Sequence, residues 1–264
     1  MPNIFMLGPF IINIFFMFCV IGNPIKHSLS NNIQNIFIKI FNFQSHYMKF
    51  KFHIITLYRK IIELIINNFN FNITTPFKET IIKIINFFEK NNISFNTSFT
   101  NINYIIGFNT DRYYFNKKFK KTKKKFLIIG FGGVAKSILL FFLYDTKNFF
   151  YVINKKKKKI KKFSKLINKK IKVYKGEKYD IIIDCTPCIL HNKIPCSIKK
   201  KSEVISLNYK NINLYKKKKI HCILSGENLL VIQAFQSFKI WNKIKEYKFK
   251  KVKKYLIKNI NDKN

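Results

Sequence analysis

Arginine is nearly absent from this chain of 264 residues, although the chain is strongly basic. Its two arginines, Arg59 and Arg112, leave 49 of the 51 basic residues to lysine, and with 12 acidic residues the formal net charge is +39. A surface selected to bind phosphates would be expected to use the bidentate fork of arginine. Lysine, isoleucine, asparagine and phenylalanine are over-used together, and all four have codons rich in A and T. Mutational drift therefore explains the charge and we expect no nucleic-acid partner, with a basic nucleic-acid-binding protein as the alternative.

Glycine, proline and cysteine are also scarce. With 8 glycines, 6 prolines and a hydrophobic content of 47%, the composition is that of a globular protein and not of a low-complexity chain. The five cysteines form an odd set without a disulfide pattern, which favours a reducing compartment and predicts a cytoplasmic protein. Cys185 and Cys188 have the spacing of a redox or zinc pair, but no second pair stands at metal spacing. We interpret them as small residues at the end of a buried strand and expect no metal site.

One long apolar run occupies residues 4–21. It is about long enough to span a bilayer, but Gly8 and Pro9 interrupt it, and it lacks the basic region and cleavage site of a signal peptide. Its second half, FMFCVIG, has the pattern of a buried parallel strand that runs into a glycine turn. We therefore expect a strand preceded by an extension over residues 1–16, with Met17 as an alternative start, and no membrane partner. A membrane anchor is the other interpretation of this run.

The rest of the chain alternates short apolar runs with amphipathic segments, which is typical of α/β proteins. Residues 16–111 have the pattern of parallel βα units, and a lysine-rich stretch at residues 117–125 separates them from a second series. That series predicts a strand, a glycine turn and a helix within residues 123–144, followed by strands within residues 151–154, 179–187 and 202–210. The pattern indicates two α/β domains, with helices from Glu227 onward that are free to return to the first domain.

The glycine turn predicts a dinucleotide site. It consists of Gly130, Phe131, Gly132, Gly133, Val134 and Ala135. Glycines allow a backbone to approach a pyrophosphate, and the N-terminus of the following helix offers N–H groups and the positive end of its dipole. The spacing is GxGGxA instead of GxGxxG, so the turn alone is also compatible with simple tight packing.

The strand after this helix predicts which cofactor is used. It ends in Asn154, Lys155 and Lys156, without the acid that bonds the ribose 2′-hydroxyl in NAD sites. Cations at this position suit a 2′-phosphate. The sequence therefore predicts NADP.

Lys78 differs from most other lysines of the chain in its setting. It follows Thr74, Thr75 and Pro76 in a turn-like segment after an apolar run, whereas most lysines stand in runs or on mixed polar stretches. A lysine held by a proline-fixed turn is positioned, which makes Lys78 a candidate functional residue.

Seven motifs resemble, in order and at close to its spacing, the shikimate dehydrogenase family. They are GNPIKHSLS (22–30), FNITTPFKE (71–79), FNT (95–97), NTD (109–111), GFGGVAK (130–136), INKK (153–156) and ENLLVIQAF (227–235). The resemblance covers residues 17 to about 241. The chain departs from the family pattern in two ways. Four single residues differ, since a Pro, a His, an Asp and a Gly are usual where Asn31, Gln34, Phe108 and Arg112 stand, and residues 184–189 replace an Asn-Ala-Thr-Ser-x-Gly segment.

The resemblance implies a fold and an activity. The fold is an N-terminal α/β substrate and catalytic domain over residues 1–111, a Rossmann-like NADP-binding domain over residues 112–225, and C-terminal helices over residues 226–264 that pack on the first domain. The activity is the NADP-dependent, reversible reduction of 3-dehydroshikimate to shikimate, in the biosynthesis of chorismate and the aromatic amino acids. Quinate/shikimate dehydrogenases that use NAD share the motifs but tend to carry an acid where Asn154 and Lys155 stand, and they are the alternative. The sequence does not decide whether the protein forms a homodimer.

The resemblance also implies roles for individual residues. Lys78 and Asp111 would form an acid–base pair, because a fixed ammonium can stabilise and protonate the oxygen that hydride delivery charges, and a nearby carboxylate keeps that ammonium charged. The shikimate carboxylate would be bound by Ser28, Ser30 and Tyr209. The ring hydroxyls would face Thr74, Asn96 and Gln233. The cofactor would contact the six residues of the glycine turn, the Asn154-Lys155-Lys156 segment and, near the nicotinamide, Gly226.

Overall fold

Two main sheets organise the chain, each in its own compact unit. The structure is a computed structural model that describes residues 6–7, 10–11, 17–78, 80–83, 87–88, 95–101, 104–145, 147–186, 203–207, 215, 220–244 and 252. One unit comprises Met1–Thr110 together with Val231–Asn264, and the other comprises Asp111–Leu230.

The first unit contains a six-stranded sheet and a separate pair of short strands. The strands are β1 (Met6–Leu7), β2 (Phe10–Ile11), β3 (Met17–Gly22), β4 (Tyr47–Lys51), β5 (Phe69–Ile73), β6 (Phe87–Phe88), β7 (Thr97–Asn101) and β8 (Tyr104–Phe108). β1 pairs with β2, and the larger sheet has the order β4-β3-β5-β7-β8-β6. Helix α1 (Ser30–Ile40) connects β3 to β4, and α2 (Leu57–Ile66) connects β4 to β5. Short 3-10 turns cover Thr80–Lys83 and Thr110–Arg112.

Strand β3 confirms the strand that the sequence predicts within the apolar run. It lies between β4 and β5 and is parallel to both. Phe18, Cys19, Val20 and Ile21 are each at most 2% exposed, which explains why the run is continuously apolar: a central parallel strand is covered on both faces. No helix among the residues that the structure describes is long and apolar enough to cross a bilayer.

The predicted succession of parallel βα units is incomplete for the later strands of this unit. β7 is antiparallel to both β5 and β8. Only Ile102 and Asn103 separate β7 from β8 in the chain, and a connection this short allows only an antiparallel pair.

The second unit contains a five-stranded parallel sheet within its described residues. Its elements are α3 (Tyr113–Phe119), β9 (Lys125–Ile129), α4 (Gly133–Asp145), β10 (Phe149–Ile153), α5 (Lys157–Leu166), β11 (Ile181–Asp184), β12 (Glu203–Ser206) and β13 (His221–Leu224). The order β10-β9-β11-β12-β13 places β10 on one side of β9 and β11 on the other. The sheet therefore reverses its winding between β9 and β11, and ligands of such folds bind at the carboxyl ends of the strands at that switch point.

The C-terminal helix α6 (Gly226–Asn242) confirms the predicted return to the first unit. The indole of Trp241 stacks on Phe18 of β3 with ring centres 5.1 Å apart, and its Nε1 donates to the backbone oxygen of Ser98 at 2.7 Å. Phe238 lies 5.4 Å from Phe37 of α1. These aromatic contacts anchor the second half of α6 against β3 and α1.

Candidate functional site

The segment from β3 to α1 holds both predicted serines. Asn23 fixes its start, because its side-chain amide donates to the Phe52 oxygen at 3.1 Å and its backbone N–H donates to the Thr75 oxygen at 3.0 Å. Ser28 Oγ accepts the backbone N–H of Ser30 at 3.3 Å, at the first residue of α1. Both serines are half-buried at this helix N-terminus, where backbone N–H groups and the helix dipole favour an anion.

The turn around Lys78 is tied to two strands. Thr74 N–H donates to the Ile21 oxygen of β3 at 2.9 Å, and Phe77 N–H donates back to the Thr74 oxygen at 3.0 Å. The Lys78 oxygen accepts the Phe95 N–H at 3.1 Å, just before β7. Phe77 is buried, whereas Thr74 and Lys78 are half-buried. The backbone of Lys78 is therefore held between β3 and the start of β7, unlike a lysine in a solvated run.

Asn96 is held through both its backbone and its side chain. Its N–H donates to the Phe108 oxygen at 3.1 Å, and its oxygen accepts the Ile73 N–H at 2.9 Å. Its side-chain Oδ1 accepts the Thr110 N–H at 2.8 Å, while Nδ2 donates to Thr110 Oγ1 at 2.9 Å. Asn96 is 5% exposed. The first unit therefore brings Thr74, Lys78 and Asn96 onto the adjoining ends of β5 and β7.

The other predicted substrate residues and Asp111 of the acid–base pair belong to segments other than these ends of β5 and β7. Gln233 is half-buried on α6, and the next residue, Ala234, accepts the Gln34 Nε2–H through its backbone oxygen at 2.9 Å. Tyr209 lies outside the described residues. Asp111 belongs to the second unit, in the Thr110–Arg112 turn, and is 2% exposed.

The glycine turn lies at the switch point of the parallel sheet. Gly130 follows β9 with a φ of 91°, and a Cβ there would lie 3.2 Å from the backbone of Cys185 and from Thr186 Cγ2, directly after β11. Apart from chain neighbours and the backbone of the helix itself, no atom of the described residues lies within 4 Å of the position that a Cβ would take on Gly132 or Gly133, so this turn is open at the start of α4. An open glycine turn at the N-terminus of a helix suits a pyrophosphate.

The other residues of this turn face inward or flank it. Phe131 is 6% exposed, and its ring packs edge-on against Phe163 of α5 at 5.4 Å. Ala135 is fully buried and Val134 is half-buried.

The segment after β10 carries the predicted cations. Asn154 Nδ2 donates to the Lys156 oxygen at 3.1 Å, which closes a short turn. Lys155 and Lys156 are exposed. At the start of α6, Gly226 is buried next to Ser225, whose Oγ accepts the Asn228 N–H at 3.3 Å.

A buried acid ends β11. Asp184 is fully buried, and its carboxylate accepts from the Thr186 N–H at 3.0 Å, from Thr186 Oγ1 at 2.6 Å and from the Tyr215 hydroxyl at 3.1 Å. Burial raises the pKa of the adjacent Cys185 thiol well above its ordinary value, and the charges of Asp184 and Asp111 add to this. Cys185 is therefore a protonated thiol at neutral pH. Cys188 lies outside the described residues, and among those described no cluster of His, Cys, Asp and Glu could hold a metal ion.

Asn72 of β5 is a polar residue of this region that lies within the FNITTPFKE motif but to which the sequence analysis assigns no role. Its side chain contacts Tyr47, Asn96, Thr97 and Ser237. The sequence does indicate a buried amide, because Asn72 stands between the apolar Phe71 and Ile73 in a strand that the fold buries. It does not show which other strands the Asn72 side chain contacts.

A parallel sheet with a glycine turn at its switch point defines a dinucleotide-binding protein of the Rossmann type. A profile of the shikimate dehydrogenase substrate binding domain matches residues 20–96. The chain is 31% identical over 261 residues to shikimate dehydrogenase (NADP(+)) of Pelagibacter ubique, a match that covers 86% of this chain and 93% of that protein. This chain belongs to the shikimate dehydrogenase family.

Two further comparisons agree with this assignment. The crystal structure of shikimate dehydrogenase from Aquifex aeolicus superposes with a TM-score of 0.78 at 26% identity, covering 90% of this chain and 96% of that one. Shikimate dehydrogenase (NADP(+)) of Clostridium botulinum is 32% identical over 161 residues, a match that covers 52% of this chain and spans 60% of the length of that relative.

Proposed function

We propose that this protein is an NADP-dependent shikimate dehydrogenase, which reversibly reduces 3-dehydroshikimate to shikimate in the cytoplasm. The observation that carries the proposal is the similarity to shikimate dehydrogenase (NADP(+)) of Pelagibacter ubique along 86% of the chain. The reaction belongs to the biosynthesis of chorismate and the aromatic amino acids.

The second unit has the features that NADP requires. The open backbone of Gly132 and Gly133 at the start of α4 would receive the pyrophosphate, and Gly130 permits the close packing of the turn on the end of β11. Exposed Lys155 and Lys156 would pair with the 2′-phosphate. Asn154 would hold the turn that carries them, and Gly226 would border the nicotinamide. When bound, NADPH supplies the hydride.

The first unit has the features that the substrate requires. Ser28 and Ser30, at the N-terminus of α1, would hydrogen-bond the shikimate carboxylate, with Tyr209 as a third donor. Thr74, Asn96 and Gln233 would face the ring hydroxyls, because neutral polar side chains can both donate and accept.

Lys78 and Asp111 would carry the proton. In the direction of reduction, the Lys78 ammonium gives a proton to the ketone oxygen as that oxygen gains charge, and in oxidation the pair accepts the hydroxyl proton. Asp111 would keep the lysine charged and oriented. We assign the proton to the pair and not to one atom.

The proposal is tested by incubating the purified protein with NADP and shikimate alone and following the near-ultraviolet absorbance of NADPH. Shikimate-dependent NADPH formation is expected, and its absence would contradict the proposal. Quinate with NAD is the matched comparison, because faster turnover of that pair would identify the alternative within the family.

Variants of the pair test the mechanism. Lys78→Ala should lower kcat about 10²–10⁴-fold with little change in the shikimate KM, as expected for loss of a positioned proton donor. Asp111→Asn should also be severe, and the double variant should lose far less than the product of both effects, since residues that act as a unit are not additive. Lys39, exposed on α1, provides the control, because Lys39→Ala should leave kcat unchanged. Full activity of Lys78→Ala would remove the lysine from the mechanism.

A further inference from the structure

A hydrogen-bonded group of side chains crosses the sheet of the first unit. Asn72 of β5 lies at its centre. Its Oδ1 accepts the Tyr47 hydroxyl at 2.7 Å, and its Nδ2 lies 2.9 Å from the Asn96 oxygen, 3.0 Å from Thr97 Oγ1 and 2.9 Å from Ser237 Oγ. One amide thereby joins β4, β5, β7 and α6.

Tyr47 determines which way the Asn72 amide points. The Tyr47 side chain is 2% exposed, and burial raises the pKa of its phenol well above the ordinary value, with a smaller contribution from Cys19. The phenol therefore stays protonated and donates to Asn72 Oδ1, which leaves the Nδ2 hydrogens directed at Asn96 and its neighbours. The amide orientation is thus fixed by a neutral donor on the edge strand β4.

On the side of Asn72 opposite Tyr47, the hydrogen-bonded group includes Asn96. The Asn96 peptide oxygen accepts from Asn72 Nδ2, while the Asn96 side chain is aligned by the N–H and hydroxyl of Thr110. Thr97, the next residue, shares a hydrogen bond of 2.7 Å with Ser237 of α6. The carbonyl oxygen of Asn96 therefore accepts from the Asn72 side chain as well as from the Ile73 backbone, and the Asn96 side chain is held by Thr110.

We infer that Asn72 is a positioning residue for catalysis: it fixes the peptide of Asn96 and so sets the direction of the amide that faces the substrate ring. This inference rests on the proposed function, because the role of Asn96 toward the ring hydroxyls does. Asn72 itself acts through Asn96 and is not assigned a contact with the substrate.

Asn72→Ala tests the inference, with Ser98→Ala as the matched control. Ser98 lies on β7, is fully buried, and exchanges hydrogen bonds through its Oγ with the backbone of Phe71, the neighbour of Asn72 on β5. Loss of the Ser98 hydroxyl should destabilise the same strands without removing a hydrogen bond from Asn96. Asn72→Ala should raise the shikimate KM about tenfold, the effect of one neutral hydrogen bond, and leave the NADP KM unchanged. Ser98→Ala should change neither KM. Tyr47→Phe should shift the shikimate KM in the same direction as Asn72→Ala but less.

A second measurement does not depend on activity. Hydrogen exchange of the backbone amides over residues 95–97 should accelerate in Asn72→Ala and stay unchanged in Ser98→Ala, because only the first variant removes a hydrogen bond from the Asn96 peptide oxygen. Equal behaviour of the two variants in both KM and exchange would overturn the inference and leave Asn72 as a purely structural residue. If the unmutated protein does not oxidise shikimate, the proposed function fails, and exchange alone then decides whether Asn72 fixes Asn96.

Discussion

Replacing Gly130 by alanine should affect both folding and cofactor binding. The Gly130 φ of 91° lies in the left-handed region that L side chains rarely adopt, and holding alanine there costs about 1–3 kcal/mol. The new Cβ would also lie 3.2 Å from the Cys185 carbonyl carbon and oxygen, which are backbone atoms at the end of β11 and yield little. We therefore expect the free energy of unfolding to fall by roughly 2–4 kcal/mol when strain and contact act together.

Variants of two other glycines distinguish the effect of backbone strain from the effect on cofactor binding. Gly176 has a φ of 107°, and beyond its chain neighbours no atom in the described part of the chain lies within 4 Å of the position that a Cβ would take there, so Gly176→Ala adds strain without a contact. It should lower stability by about 1–3 kcal/mol and leave both KM values unchanged. Gly132 lies outside the left-handed region in open space, so Gly132→Ala should leave stability unchanged or raise it by about 0.4–1 kcal/mol while raising the NADP KM.

The assay combines urea unfolding with NADP and shikimate KM values for the three variants. Gly130→Ala should lose more stability than Gly176→Ala and should raise the NADP KM, with the shikimate KM unchanged. A Gly130→Ala variant as stable as the unmutated protein would refute the strain argument. An unchanged NADP KM in both Gly130→Ala and Gly132→Ala would refute the assignment of the turn to the cofactor.

Two further predictions concern charge. Changing Lys155 and Lys156 together to alanine should raise the NADP KM much more than the NAD KM, since only NADP carries a 2′-phosphate; comparable kinetics of the unmutated protein with both cofactors would contradict this. Burial raises the pKa of Cys19 above its ordinary value of 9.0, so its contribution to stability is complete below that pH and is lost as pH rises from there toward the folded pKa. Cys19→Ala should reduce this alkaline loss by about 1 kcal/mol between pH 9 and pH 10 in urea unfolding, and an unchanged loss would show that the thiol stays out of the titration.

The sequence predicts the strands best where burial is complete. β3 is apolar at consecutive positions, and so is β11 up to the acid that ends it, because a central parallel strand is covered on both faces, and this pattern is visible without the structure. The glycine turn is equally visible, because Gly130 lies between an apolar strand and an apolar helix. The antiparallel β7 was not predicted, because the residue pattern of a single strand does not state the direction of its partner.

Site residues are harder to predict than strands because their positions depend on hydrogen bonds between distant segments. Asn72 reaches Ser237, 165 positions away in the chain, and Gln34 reaches Ala234, 200 positions away. No local pattern encodes such pairs. The family motifs locate Asn96, but the contacts that orient it, Asn72 and Thr110, become apparent only when β5 and β7 are placed side by side.

The distribution of lysine shows how drift and structure act together. In α5 the exposed positions are mostly lysine, whereas the buried positions Ile160 and Phe163 are apolar. A solvated lysine keeps its hydration at little energetic cost, so surface positions can accumulate it, whereas an uncompensated buried ammonium is strongly disfavoured. A lysine that is half-buried in a turn tied to its neighbours by backbone hydrogen bonds differs from the solvated lysines that drift explains. Lys78 meets this condition, and its setting thus supports the same role that the family motif assigns to it.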